Sequence, residues 1–140
     1  MIKKKRKKSP QKIAKAKAWK AFSLFIRISN ADSNGIVKCV TCNISKHWKE
    51  VHAGHYVDGR NNTVLFNEKL VHPQCFHCNS KLAGCLAGNK IKYTFFMKEK
   101  YGYTIEELNE IDNSKFHVKK YTISELQEIE EKYKKKVDNL

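Results

Sequence analysis

The sequence predicts an α+β fold in which a small metal-organised module of short strands is framed by helices on its N-terminal and C-terminal sides. Three observations lead there. Two Cys-x2-Cys pairs, Cys39/Cys42 and Cys75/Cys78, stand 32 residues apart. The segment between them is rich in turn residues and short extended runs, with no long helical period. On either side, apolar residues recur at helical spacing behind recognisable caps. At 140 residues the chain is one domain, or one domain with tails. A mean hydropathy of −0.64 leaves little apolar surplus, so a bound metal would contribute to folding.

Residues 1–9 read as a basic tail, disordered without a ligand because nothing apolar anchors the lysines. Ser9-Pro10 then supplies an N-cap and a first-turn proline, and Ile13, Trp19, Phe22 and Ile26 recur near a helical period, which predicts an N-terminal basic helix over 10–30. The run Asn30 to Gly35 is turn chemistry. The module proper spans 36–90, with extended runs over His52 to Val57 and Thr63 to Phe66 on either side of the loop Asp58 to Asn62, and a helix beginning near Cys78 and Asn79. The C-terminal helical region, 91–140, opens with Ile91, Phe95 and Phe96 spaced to bury one face. Capping boxes at Thr104/Glu107 and Thr122/Glu125 start two further helices. In the last one Leu126, Ile129, Tyr133 and Val137 form an apolar stripe expected to dock on the chain's own core, with dimerisation as the rival use.

Charge narrows the partners. The chain has 28 Lys and Arg against 14 Asp and Glu, a net +14. Residues 1–20 carry ten of those cations and no acid, residues 21–100 carry eleven against five, and residues 101–140 carry seven against nine. A positive field concentrated in the first hundred residues suits a polyphosphate backbone, where each neutralised phosphate releases counterions. No apolar run approaches the roughly 20 residues that span a bilayer, and no signal-peptide core follows the basic start. These features predict a DNA partner, no membrane, and a cytoplasmic setting in which cysteines stay reduced.

Two Cys-x2-Cys knuckles supply four thiolates, enough to close a tetrahedral Zn2+ site made of Cys39, Cys42, Cys75 and Cys78. Such a site is structural, since no coordination position is left for water. Paired disulfides and a redox Cys-x-x-Cys both fit poorly with two knuckles in a reducing compartment. Cys85 is left over as a small apolar residue.

The spacer between the knuckles houses a strand ending in His55, a glycine-asparagine loop, Asn67, and then Asn79 directly after Cys78. This order resembles the treble-clef-like ββα-metal layout of HNH nucleases. At closer range Ala53-Gly54-His55-Tyr56, Phe66-Asn67-Glu68, His72 with Gln74-Cys75, and Cys78-Asn79 followed by Gly84 resemble the NinG/Rap family of phage recombination endonucleases, over roughly residues 19–137. The resemblance implies His55 as general base and Asn79 as an oxygen ligand to a catalytic Mg2+ or Mn2+. Many HNH enzymes place a metal-binding Asp just before the base, where this chain has Gly54. A second ligand is then His52 or Asp58, with His52 preferred if a bulge at Ala53-Gly54 turns it to the face of His55. Asn67 takes the bracing role of the family's middle Asn. Lys12 and Lys15 on the first helix, with Arg60, Lys81 and Tyr56 around the site, are the candidate phosphate contacts, and His72-Pro73 reads as a structural bridge.

The function implied is a metal-dependent endonuclease for branched recombination intermediates such as Holliday junctions or D-loops, acting as a homodimer in the cytoplasm of a phage-infected host. Two rivals share the same scaffold and charge: a zinc-stabilised nucleic-acid-binding module that does not cut, and a sequence-specific HNH endonuclease.

Overall fold

A helix of twenty residues, α1 (Pro10–Ser29), carries the first half of the frame in a computed structural model that describes residues 4–140. The Ser9 hydroxyl accepts from Lys12 N at 3.3 Å, and Asn30 closes the helix by donating from Nδ2 to Ile26 O at 2.7 Å. Residues 4–9 are exposed and belong to no helix or strand; the first three residues of the expected tail lie outside the described residues. The buried face of α1 is Ala14, Ala18, Ala21, Phe22 and Ile26, whereas Ile13 is 43% exposed. Small side chains let another helix approach closely, and α5 (Ile123–Asp138) uses that room: Leu126 packs against Ala14 and Ala18, and the Tyr133 ring meets Phe22 edge-on at 4.8 Å. The expected stripe of α5 thus docks on the chain's own core, each buried Leu or aromatic ring contributing about 1.5–3 kcal/mol. Both predicted capping boxes form, at Thr104 for α4 (Ile105–Asn113) and at Thr122 for α5.

Between these helices lie two antiparallel ribbons. β1 (Ile36–Lys38) pairs with β2 (Ser45–His47), and β3 (Val51–His55) pairs with β4 (Val71–Cys75) in unbroken register from Val51↔Cys75 to His55↔Val71. The strand partner of β3 is therefore 71–75, and the expected extended run over 63–66 is instead a chain of tight turns, with Val64 N bonded to Asn61 O and Asn67 N to Val64 O. Val64 and Leu65 are buried, so their apolar character fills the core instead of a strand face. β4 contains Pro73, which its position in a two-stranded ribbon permits; the Pro73 carbonyl accepts from Val40 N at 3.0 Å and ties the first knuckle to this strand.

The helix expected to begin near Cys78 starts earlier and ends there: α2 (Phe76–Asn79) is a single turn, closed by Ser80 N donating to Phe76 O. In α3 (Lys90–Tyr101) the buried face is Tyr93 and Met97, four residues apart, while Ile91 and Phe95 are 74% and 63% exposed. Tyr93, Met97 and Leu108 of α4 form one core with Tyr56, Val57, Val64 and Leu70 from the turns after β3. Tyr56 is thus a core residue, its hydroxyl 3.0 Å from Thr94 Oγ1, and does not reach the surface as a phosphate contact. No helix among the described residues is long and apolar enough to cross a membrane.

Candidate active site

The four knuckle cysteines converge. Cys39 and Cys42 sit in the turn joining β1 to β2, Cys75 ends β4 and Cys78 lies in α2, and their sulfurs all fall within 4.8 Å of one another. Such a cluster could hold a structural metal such as zinc. Burial opposes ionisation of Cys39, but the Thr41 hydroxyl and nearby backbone donors prevail and pull its thiol down to about 6. Burial and the adjoining sulfurs push Cys42 up to about 12. Asn89 Nδ2 donates to Cys78 Sγ at 3.4 Å, a further donor to the sulfur shell. Cys85 stands outside the cluster, half-buried.

β3 turns its side chains to two different neighbours. The expected bulge at Ala53-Gly54 is absent, so His52 and His55 point to opposite faces, as regular alternation requires. On the α1 face, the His55 ring stacks on Trp19 at 5.0 Å, and its Nε2 lies 3.2 Å from Leu65 O. A carbonyl only accepts, so Nε2 carries the proton and Nδ1 keeps the lone pair. Burial, with Arg60 nearby, lowers the His55 pKa to about 4 and keeps the ring neutral at pH 7. The Arg60 guanidinium also lies over the Trp19 ring, 4.5 Å from its centre.

On the α2 face, Asn79 Nδ2 donates to His52 Nδ1 at 3.0 Å. The Asn79 Oδ1 atom then lies 3.0 Å from the point a Cβ on Gly54 would occupy, and Gln74 Oε1 only 2.0 Å from it. The backbone of Gly54 is not left-handed; it is the Gln74 carboxamide that leaves no room for a side chain there. Gln74 is fully buried. Its Nε2 donates to Gly88 O at 2.9 Å and to Thr41 Oγ1 at 3.2 Å, which fixes the amide so that Oε1 faces Gly54, where it has no hydrogen-bond partner. Neutral oxygens with one imidazole beside them could hold a hard divalent cation whose charge an anionic ligand also balances.

Both faces open onto one cleft of about 690 Å³ along the free edge of β3, lined by His55, Trp19, His52 and Asn79. Arg27, Lys49, Arg60 and Lys81 bring four cations to its walls, against the single acid Asp58. Lys15 lies instead in a second depression with Lys115 and Lys119, which meets the first at Arg60. Lys12 is exposed on α1 and lines neither. Asn67 is exposed and outside the cleft, where its Oδ1 accepts from Lys69 N at 3.0 Å and caps its own turn.

A protein-family model described as Bacteriophage Lambda NinG protein matches residues 1–140. The chain belongs to the NinG family. No curated protein and no solved structure matches it.

Further residues of this NinG chain shape the site, Asn61 and Tyr93 among them without a signal in sequence. Asn61 pins the loop that supplies Leu65 O: its Oδ1 accepts from Thr63 N and Oγ1, at 3.1 and 2.9 Å, and its Nδ2 donates to Lys115 O at 2.6 Å. Two adjacent asparagines in a turn do not reveal which one braces. His72 is buried, with burial and then Lys100 lowering its pKa to about 3. Tyr93 gives its one proton to Gly54 O at 2.7 Å, so His72 Nδ1 donates to Tyr93 Oη at 2.9 Å and His72 Nε2 accepts from Tyr101 Oη at 2.8 Å. That relay holds the backbone beside His55, which makes His72 a structural bridge and Tyr93 a positioning residue.

Proposed function

We propose that this NinG-family protein is an HNH-type, metal-dependent endodeoxyribonuclease that cuts branched recombination intermediates. The observation that carries the reading is the pairing, across one strand and into one cationic cleft, of a neutral His55 whose Nε2 is committed to a carbonyl with the amide oxygen of Asn79. β3, β4 and the single turn α2 supply the ββα-metal frame, and the cysteine cluster supplies its zinc. Family membership supports a phage recombination role, and with it a branched DNA substrate.

In this reading His55 accepts a proton at Nδ1 from the water that attacks phosphorus, while Leu65 O holds the ring in orientation. Trp19 shields one ring face and keeps the base uncharged until substrate arrives. Asn79, oriented by His52, would hold a Mg2+ or Mn2+ ion through its amide oxygen, and that ion would supply charge neutralisation for the leaving 3′ oxygen. Arg27, Lys49, Arg60 and Lys81 hold the backbone without reading bases, and Lys12 and Lys15 extend that grip along the helix of 10–30. The basic tail of 1–9 adds to it, the module of 36–90 does the chemistry, and the region of 91–140 supports the module. Symmetric cutting of a four-way junction takes two such sites, hence a homodimer, working in the cytoplasm of the infected host.

His55→Ala tests this directly. With Mg2+ or Mn2+ and a four-way junction, the wild type is expected to leave 5′-phosphate and 3′-hydroxyl ends, and the variant to lose cleavage by about 10²–10⁴-fold while retaining zinc and DNA binding. A wild type that binds the junction and cuts under no divalent condition overturns the enzyme reading in favour of a binding module. Equal cleavage of a matched linear duplex removes the preference for branches.

A further inference from the structure

We propose that Gln74 Oε1 is a second protein ligand, beside Asn79 Oδ1, for the catalytic divalent cation, filling the role of the carboxylate that position 54 lacks. The inference rests on the metal-dependent reading above and adds to it a residue on a different element.

Three features carry it. Gln74 Oε1 is a buried amide oxygen without a hydrogen-bond partner, an arrangement that folded proteins rarely leave uncompensated. The atom is not free to turn away, because Gly88 O can only accept and therefore holds the NH2 end of the same carboxamide. It also occupies the place where a side chain on the residue before His55 would begin, with Asn79 Oδ1 on the same side. A glycine with ordinary backbone angles at that position is explained by the space Gln74 takes: oxygen arrives there from the neighbouring strand instead of from position 54 itself. Thr41 connects this oxygen to the sulfur cluster. Its hydroxyl accepts from Gln74 Nε2, which frees its own proton for Cys39 Sγ at 3.3 Å.

Mn2+ titration of the zinc-loaded full chain, followed by paramagnetic broadening of backbone amide resonances, reads cation binding without DNA or turnover. Gln74→Met keeps the length of the side chain and removes the oxygen; it is expected to weaken Mn2+ affinity by at least about tenfold. Amide dispersion in the same spectra reports whether the variant keeps the wild-type fold. Asn79→Ala serves as the reference. If Asn79→Ala weakens Mn2+ binding and Gln74→Met does not, Gln74 is no ligand and the Asn79 site stands. If Gln74→Met loses Mn2+ affinity only together with the native dispersion of β3 and β4, the residue acts through packing alone and the proposal falls. A wild type whose β3 and α2 resonances ignore Mn2+ removes both this ligand and the metal site beneath it.

Discussion

The two faces of β3 do opposite things with adjacent residues. Toward α1, His55 is packed on Trp19, held by one carbonyl and kept neutral by burial. Toward α2, His52, Gln74 and Asn79 gather polar atoms, one of them without a partner. The strand itself separates them. A base beside a divalent cation would have its proton affinity depressed by the cation's charge and would repel it once protonated. In the nuclease reading proposed above, placing base and cation on opposite faces, with the cleft wrapping the strand edge, would let each environment be set independently. One face is built from apolar contact and the other from hydrogen bonds, so they should fail differently.

The largest effect should come from the element that supports both faces. Cys75→Ser removes one of four sulfurs at the end of β4, and the module is expected to lose zinc and unfold, seen as collapse of amide dispersion and a zinc content near zero. Next comes acid, which strikes the buried histidines. His55 and His72 titrate near 4 and 3 when folded but near 6.5 when unfolded, so the unfolded chain binds more protons below pH 6.5. Stability is then full above that pH and falls as pH drops toward 4, by on the order of 2–4 kcal/mol between pH 6.5 and 5, measurable as a shift in urea midpoint. Gly54→Ala breaks the α2 face alone. Its methyl would stand 2.0 Å from Gln74 Oε1, and a loss of about 1–3 kcal/mol is expected with the His55–Leu65 contact retained, checked by thermal melting and by the His55 ring resonances. The smallest effect belongs to Arg60→Gln at the cleft rim, expected to reduce the slope of log affinity for DNA against log salt by about 1 with zinc and folding unchanged.

Much of the scaffold could be read without coordinates, for reasons that particular residues make plain. Cysteine spacing and the caps at Ser9, Thr104 and Thr122 are local codes, and each produced the structure its chemistry dictates. The strand partner of β3 was not legible, because Val71-His-Pro-Gln-Cys75 interrupts its apolar residues with a histidine, a proline and a glutamine that only burial by α3 and the knuckles justifies. For the same reason α3 deceived: Ile91 and Phe95 have the right spacing, but Tyr93 has a carbonyl and a histidine to satisfy and takes the inner face. In the site, Asn79 and His55 stand on one cleft, whereas Asn67 lies outside it and caps its own turn while Asn61 pins the loop, and Gln74 carries no signal because an orphaned oxygen exists only once its neighbours are in place.

The clasp between α1 and α5 has a consequence for synthesis. Trp19 reaches His55 only because α1 is seated, and α1 is seated largely by Leu126 and Tyr133, more than a hundred residues downstream. A nascent chain still on the ribosome therefore displays its lysine-rich helix long before the wall behind the imidazole can close. Nucleic acid nearby would meet a cationic segment first and a finished cleft only after the last helix has emerged.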